Sequence, residues 1–172
     1  SLSYKGEVES LSNNFPFVEK LCREAIEWYR NTLNKKRLAE TYYNLGFSFY
    51  AQSMFTEAIK NLDTSYKLHE KNNNIREMCK ANTTAAVVYE ESGNYEKAFE
   101  LARKGLNLAI ENNEDWFRRT TLTIIGSLFG DIEDYRTALA YCFQAGQNLK
   151  PDEYNSFNPR LLRVIAELYS RQ

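Results

Sequence analysis

The chain repeats a short pattern at a fixed interval. Ala58, Ala98 and Ala138 are each 40 residues apart, and a spacing this strict indicates one structural unit that is copied and stacked. The same interval separates three aromatic residues, Phe55, Tyr95 and Tyr135. Arrays of stacked units usually present an extended surface to another molecule, so the pattern favours a binding role over catalysis.

The composition favours an all-α fold. Only seven Gly and three Pro occur in 172 residues, too few for the many turns of an all-β domain. No stretch approaches the ~20 apolar residues of a membrane-spanning helix, so we expect no membrane partner. Lys and Arg number 22 against 23 Asp and Glu, and this balance gives no basic excess for neutralising phosphates. Direct nucleic-acid binding by this chain is therefore not expected.

An apolar helical stripe recurs four times. Tyr42, Leu45, Gly46 and Phe49 fall at i, i+3, i+4 and i+7, which is one face of an α-helix. Successive additions of 40 give Asn82, Ala85, Ala86 and Tyr89, then Leu122, Ile125, Gly126 and Phe129, then Leu162, Ile165, Ala166 and Tyr169. Small residues recur in the third position because two helix backbones approach closely there.

A second helix is predicted after each of the first three stripes. A turn rich in Gly, Ser, Asn or Asp lies between the two helices of each pair, and such residues end one helix and cap the next. The expected fold is an all-α solenoid of antiparallel helix pairs forming a right-handed superhelix. We expect one domain over residues 1–172, with three repeats at 35–73, 74–113 and 114–153. Residues 1–34 would form a partial repeat containing a helix over 16–33, and 154–172 a last or capping helix from Pro159 to Ser170. The start at Ser1, without an initiator Met, suggests a fragment of a larger protein.

The repeat resembles a known family. The order Tyr42, Leu45-Gly46, Phe49, Phe55, Ala58, Leu62 and Ser65 is similar to the tetratricopeptide repeat pattern of aromatic, Leu-Gly, aromatic, aromatic, Ala, large apolar, Ala. The interval of 40 departs from the family's usual 34 and resembles its long-helix relatives in bacterial regulatory and signalling proteins. The resemblance implies a concave groove, lined by the first helices, that holds a peptide or a helix.

The residues that the resemblance places in this groove lie next to the apolar stripes. They are Tyr43, Asn44, Phe47, Tyr50, Thr83, Val87, Glu90, Thr123, Ser127, Arg163 and Glu167. Tyr43, Phe47 and Tyr50 give their helix a second apolar face, which marks either a binding surface or contact with a neighbouring helix such as 16–33. The family members that grip a terminal carboxylate need Lys and Asn in the groove. Asn44 is the one candidate match here, so that activity is not supported.

We expect no active site, metal or cofactor. His69 is the single histidine and is interpreted as a surface or helix-end residue, while no phosphate loop or metal motif occurs. Cys22, Cys79 and Cys142 fit no disulfide framework, and Cys142 falls in a core column as a buried thiol. This usage favours a reducing compartment such as the cytoplasm, with an extracytoplasmic sensor domain left open.

The expected function is a non-catalytic scaffold that binds a protein or peptide, as the sensory or docking module of a larger regulatory protein. The alternative is a domain that packs against its own effector domain, or against a second copy of itself, and so regulates an attached DNA-binding, kinase or phosphatase-type domain.

Overall fold

The computed structural model describes residues 15–32, 34–147 and 159–170, and the predictions for Ser1 to Asn14 and for 148–158 lie outside these ranges. The described residues form eight α-helices and no β-strand. The helices are α1 (Phe15–Arg30), α2 (Lys35–Ala51), α3 (Phe55–Lys71), α4 (Ile75–Glu91), α5 (Tyr95–Glu111), α6 (Asp115–Asp131), α7 (Tyr135–Gly146) and α8 (Pro159–Ser170). The last helix has the bounds that the sequence predicts, whereas α1 ends at Arg30.

Five of the connections between helices use the same turn. Each contains a residue with positive φ, namely Ser53, Asn73, Gly93, Asn113 and Glu133. At Asn73 the turn is closed by two hydrogen bonds: its N–H donates to the Glu70 carbonyl and the N–H of Asn74 donates to the His69 carbonyl, both at 3.0 Å. This is the Schellman arrangement that satisfies the last carbonyls of a helix. Three of the helices are capped by a side-chain oxygen, from Asn34, Asn94 or Asp134.

The chain divides into two compact units, Ser1–Val88 and Tyr89–Gln172. In the first unit α2 packs against α1 and α3. A Cβ added at Gly46 would lie 2.9 Å from Cγ of Leu62 and 3.1 Å from the Ala58 carbonyl oxygen. Gly46 therefore stands where the α2 and α3 backbones meet, as predicted, whereas Ala166 of the same predicted column is exposed.

The second unit repeats this relationship between α6 and α7. A Cβ at Gly126 would lie 2.6 Å from Sγ of Cys142 and 3.0 Å from the Ala138 carbonyl oxygen. Aromatic rings fill the space beside the crossing, with Phe129 5.0 Å from Phe99 and 5.5 Å from Tyr141 between ring centroids. The core is closed by α8, whose buried residues are Leu161, Val164 and Leu168.

Two sequence interpretations concern buried polar groups. His69 lies in the last turn of α3, as the helix-end interpretation predicts, but the surface interpretation is wrong, because the residue is 1 % exposed. The interpretation of Cys142 as a buried thiol is confirmed: it is fully buried, and burial raises its pKa to about 11. None of the helices in the described ranges combines the length and apolar character that a bilayer crossing demands.

Candidate functional site

Three aromatic side chains of α2 form a continuous cluster in the first unit. The rings of Tyr43 and Phe47 are stacked with centroids 6.4 Å apart. Those of Phe47 and Tyr50 meet edge to face at 5.9 Å. Tyr43 and Tyr50 are half-buried, while Phe47 between them is 44 % exposed. We call these three residues the α2 aromatic surface.

Tyr43 is fixed in place by α4. Its hydroxyl lies 3.0 Å from Oγ1 of Thr84. The Thr84 hydroxyl donates its one hydrogen to the Lys80 carbonyl at 3.0 Å, so the Tyr43 hydroxyl is the donor in this pair. Nζ of Lys80 stands 4.1 Å from the centre of the Tyr43 ring, a cation–π contact.

These contacts also set the electrostatics around Tyr43. Burial raises the pKa of the Tyr43 hydroxyl, which Thr84 lowers in part and Glu77 raises further. Lys80 is in turn paired with Glu77 at 3.6 Å. Outside its own helix, Tyr43 contacts a neighbouring helix, which is α4 and not the 16–33 helix. The Phe47 ring is exposed, and its role as a binding residue stays a prediction.

The other predicted groove residues of the first unit lie on the same two helices. Asn44 is half-buried on α2. On α4, Thr83 is 7 % exposed and Val87 is half-buried. Val87 and Asn44 are the partly exposed members of this set, and their binding role stays a prediction.

The predicted groove residues of the second unit fall into two groups. Glu90 and Thr123 are buried, and the Thr123 hydroxyl donates to the Arg119 carbonyl at 3.0 Å. Ser127 and Glu167 line one cavity of about 20 Å³ between α6 and α8, room for about one water. Arg163 and Glu167 are exposed and form an ion pair at 3.8 Å. Glu167 thus lies beside both Ser127 and Arg163, whereas Thr123 is buried with its hydroxyl bonded to the backbone of its own helix.

A cleft in the first unit has no counterpart among the sequence predictions. It has a volume of about 860 Å³ and is lined by α1, α2 and α3. Its apolar lining includes Ile26, Leu45 and Phe49. At its edge Arg30 donates to the Tyr42 hydroxyl at 2.9 Å and pairs with Glu27 at 3.0 Å. Its lining charges are mixed in sign, so no single ligand chemistry is selected.

Comparison with solved structures identifies the class of fold. BtubC (BKLC) from P. vanneervenii is 15 % identical, with a TM-score of 0.78 over 95 % of this chain and 68 % of that one. A Podosopora anserina putative kinesin light chain with nearly identical TPR-like repeats is 13 % identical, with a TM-score of 0.67 over 99 % and 88 % of the two chains. The likeness confirms the predicted all-α, TPR-like solenoid fold.

A third neighbour is an enzyme by its name. Aspartyl phosphate phosphatase F from Bacillus subtilis is 16 % identical, with a TM-score of 0.70 over 96 % of this chain. This chain spans 47 % of that protein's length. No protein-family model and no curated protein matches the chain. Identities this low establish the fold alone, and the function has to be argued from this chain's own surfaces.

Proposed function

We propose that this protein is a non-catalytic scaffold whose α2 aromatic surface binds a protein or peptide segment through Phe47. In the intact protein it would serve as the sensory or docking module of a larger regulatory or signalling protein. The ligand chemistry that fits is a peptide with an apolar or aromatic side chain, which packs on the Phe47 ring. Neighbouring polar groups would orient its backbone.

The observation that carries this proposal is the exposure of Phe47 between two rings that are half-buried. Aromatic residues with immobilised surroundings are typical centres of binding energy, because little conformational freedom is lost when the partner arrives. Tyr43 supplies that immobility here, since its hydroxyl and its ring face are both held by α4. An added aromatic contact on such a surface contributes about 0.5–1.5 kcal/mol beyond simple burial.

The fold supports the same proposal in general terms. A TPR-like solenoid presents the faces of its first helices as a continuous surface, and α2 is a helix of that kind. The three cysteines form no disulfide, which fits a reducing compartment such as the cytoplasm. Regulation of an attached effector domain remains the alternative, in which the segment bound at Phe47 belongs to the same polypeptide.

The proposal is tested by selecting peptides from a phage-displayed random library on the immobilised chain. Binding of the selected peptides is then measured by fluorescence polarisation with the wild type, Phe47→Ala and the control Trp28→Ala. Trp28 is 65 % exposed on α1, so its replacement removes a comparable exposed ring. We expect Phe47→Ala to weaken binding by about tenfold or more and Trp28→Ala to leave it within about twofold.

A selection that yields no peptide contradicts the proposal. Peptides that bind Phe47→Ala as tightly as the wild type contradict it as well. If those peptides instead lose affinity on replacement of Arg30 in the cleft, the binding function belongs to the cleft and not to the α2 aromatic surface.

A further inference from the structure

The outer face of α8 carries an apolar stripe that no described helix covers. Leu162 is 67 % exposed and Tyr169 57 % exposed, with Ala166 exposed between them. The equivalent residues of α6, 40 positions earlier, are Leu122, Ile125, Gly126 and Phe129. There the stripe lies against α7, with Gly126 at the closest approach. In α8 the same pattern is exposed, so this helix keeps a helix-binding face on which none of the helices in the described ranges lies.

The stripe is complementary in size to a reversed copy of itself. If two α8 helices run antiparallel about a two-fold axis between Ile165 and Ala166, Leu162 of one copy faces Tyr169 of the second. Ile165 then faces Ala166. Leu162 thus packs against a side chain of different shape, and Ile165 packs against the small side chain of Ala166. Ala166 lets the two helix backbones approach closely, as Gly126 does at its crossing with α7. A surface that fits itself in this way is the requirement for an isologous dimer.

The charges beside the stripe select the same orientation. Arg163 and Glu167 lie on one flank of α8, and their side chains are 67 % and 53 % exposed. In an antiparallel pair with a two-fold axis, each flank meets the same flank of the second copy, which sets Arg163 opposite Glu167. In a parallel pair, the flank with Arg163 and Glu167 would meet the other flank of the second copy. That other flank carries Leu161 and Leu168, which are buried in the core of their own copy. None of the described residues on that flank would then bring a charge to Arg163 or Glu167.

We propose that this chain self-associates by antiparallel pairing of α8 with α8 of a second copy, through Leu162, Ala166 and Tyr169 flanked by two Arg163–Glu167 ion pairs. The contact has a limited area, because a 12-residue helix is only about 18 Å long. Interfaces smaller than about 1,200 Å² are typical of weak complexes. The proposed dimer is therefore expected to be weak and in reversible equilibrium with the monomer.

The first experiment measures self-association of the 172-residue chain by sedimentation velocity over a range of concentrations. We expect a reversible monomer–dimer equilibrium in the wild type. Leu162→Glu sets a charge against the Tyr169 ring of the second copy, inside the apolar contact, and is expected to weaken association by at least about tenfold. The control is Trp116→Glu, which adds the same charge in place of an apolar side chain that is 57 % exposed on α6. It is expected to leave the equilibrium unchanged.

The second experiment tests the antiparallel orientation by mixing two variants. Arg163→Glu sets carboxylates of the two copies opposite each other, and Glu167→Arg sets guanidinium groups of the two copies opposite each other. Each variant alone is expected to associate about tenfold more weakly than the wild type. An equimolar mixture is expected to form a heterodimer at least as readily as the wild type forms its dimer, because each carboxylate then meets a guanidinium group. Both variants still lack the intrahelical pair, so recovery on mixing reports the contact between copies.

Several results overturn the proposal. The proposal is wrong if the chain is monomeric throughout the concentration range. It is also wrong if Leu162→Glu leaves the dimer intact or if Trp116→Glu dissociates it. Weakened single variants that fail to recover on mixing exclude the antiparallel register. A monomeric chain that binds a synthetic peptide with the α7 sequence, and loses that binding in Leu162→Glu, assigns the stripe to a helix from elsewhere.

Discussion

The α-carbon of Gly126 lies so close to α7 that a Cβ built on it would stand 2.6 Å from Sγ of Cys142. The backbone there is as restrictive as the thiol, because the Ala138 carbonyl oxygen lies 3.0 Å from the same position. This contact fixes how closely the two helices of a pair can pack. The position therefore requires a very small residue.

Gly126→Ala should destabilise the second unit. We expect a loss of about 1–3 kcal/mol from overpacking, measured by urea denaturation followed by circular dichroism. The double variant with Cys142→Ala removes the Sγ atom and should lose less than the sum of the two single changes. Strict additivity would show that Cys142 does not restrict this crossing.

The hydrogen bond between Tyr43 and Thr84 should contribute measurably to stability. Tyr43→Phe removes the donor and Thr84→Val removes the acceptor. A double-mutant cycle should give a coupling free energy of about 0.5–1.5 kcal/mol. Tyr43→Phe retains the ring beside Phe47, so peptide binding is expected to change less than stability does. A coupling energy near zero would mean that α4 does not hold the Tyr43 hydroxyl.

His69 should make stability fall as the solution becomes mildly acidic. Both ring nitrogens lack a hydrogen-bond partner within the described structure, and burial lowers the pKa of the imidazole. Lys36 and Lys80 lower this pKa further, whereas Glu77 and Glu40 raise it. Below the ordinary pKa of about 6.5 the unfolded chain gains a proton that the folded chain does not, so the free energy of unfolding decreases.

The measurement is the free energy of unfolding from pH 7.5 down to about pH 5. The decrease has a limiting slope of about 1.4 kcal/mol per pH unit. His69→Leu should remove the part of this decrease that lies above about pH 6, because the chain contains one histidine and its carboxylates titrate at lower pH. An identical pH profile in the variant would contradict the assignment of the decrease to His69.

The Cys142 thiol should be almost inert in the folded protein. Its pKa of about 11 leaves little thiolate at pH 8, and its side chain is fully buried. Labelling of Cys142 by a disulfide reagent, in a chain with Cys22→Ala and Cys79→Ala, should require opening of the α6–α7 contact. Its rate should rise with denaturant. Fast labelling without denaturant would contradict the packing of α7.

The interior packing of this fold is easier to predict from the sequence than the features of its surface. Gly46 and Gly126 leave a periodic signal because close backbone approach at these positions excludes large side chains. The burial of His69 is consistent with the same repeat, because the residue 40 positions later, Ala109, is buried as well. Predicting that burial would have required giving the repeat position more weight than the polarity of the imidazole.

Surface features depend on how helices are placed, which a pattern within one helix does not encode. The stripe of Leu162 and Tyr169 is plain in the sequence, but whether a helix covers it is not. Likewise, the second apolar face of α2 predicts that Tyr43 and Phe47 either contact a neighbouring helix or form a binding surface. Only the position of α4 shows that Tyr43 is held while Phe47 is exposed. The cleft between α1 and α3 has no sequence signature, since it arises from the spacing of two helices.

The most direct test of the binding proposal is a nuclear magnetic resonance titration of the ¹⁵N-labelled chain with a library-selected peptide. We predict that the largest amide shifts on saturation cluster around Phe47 and Tyr50, and that Phe47→Ala removes them while Trp28→Ala does not. Saturable binding whose shifts lie elsewhere, and which persists in Phe47→Ala, would contradict the proposal.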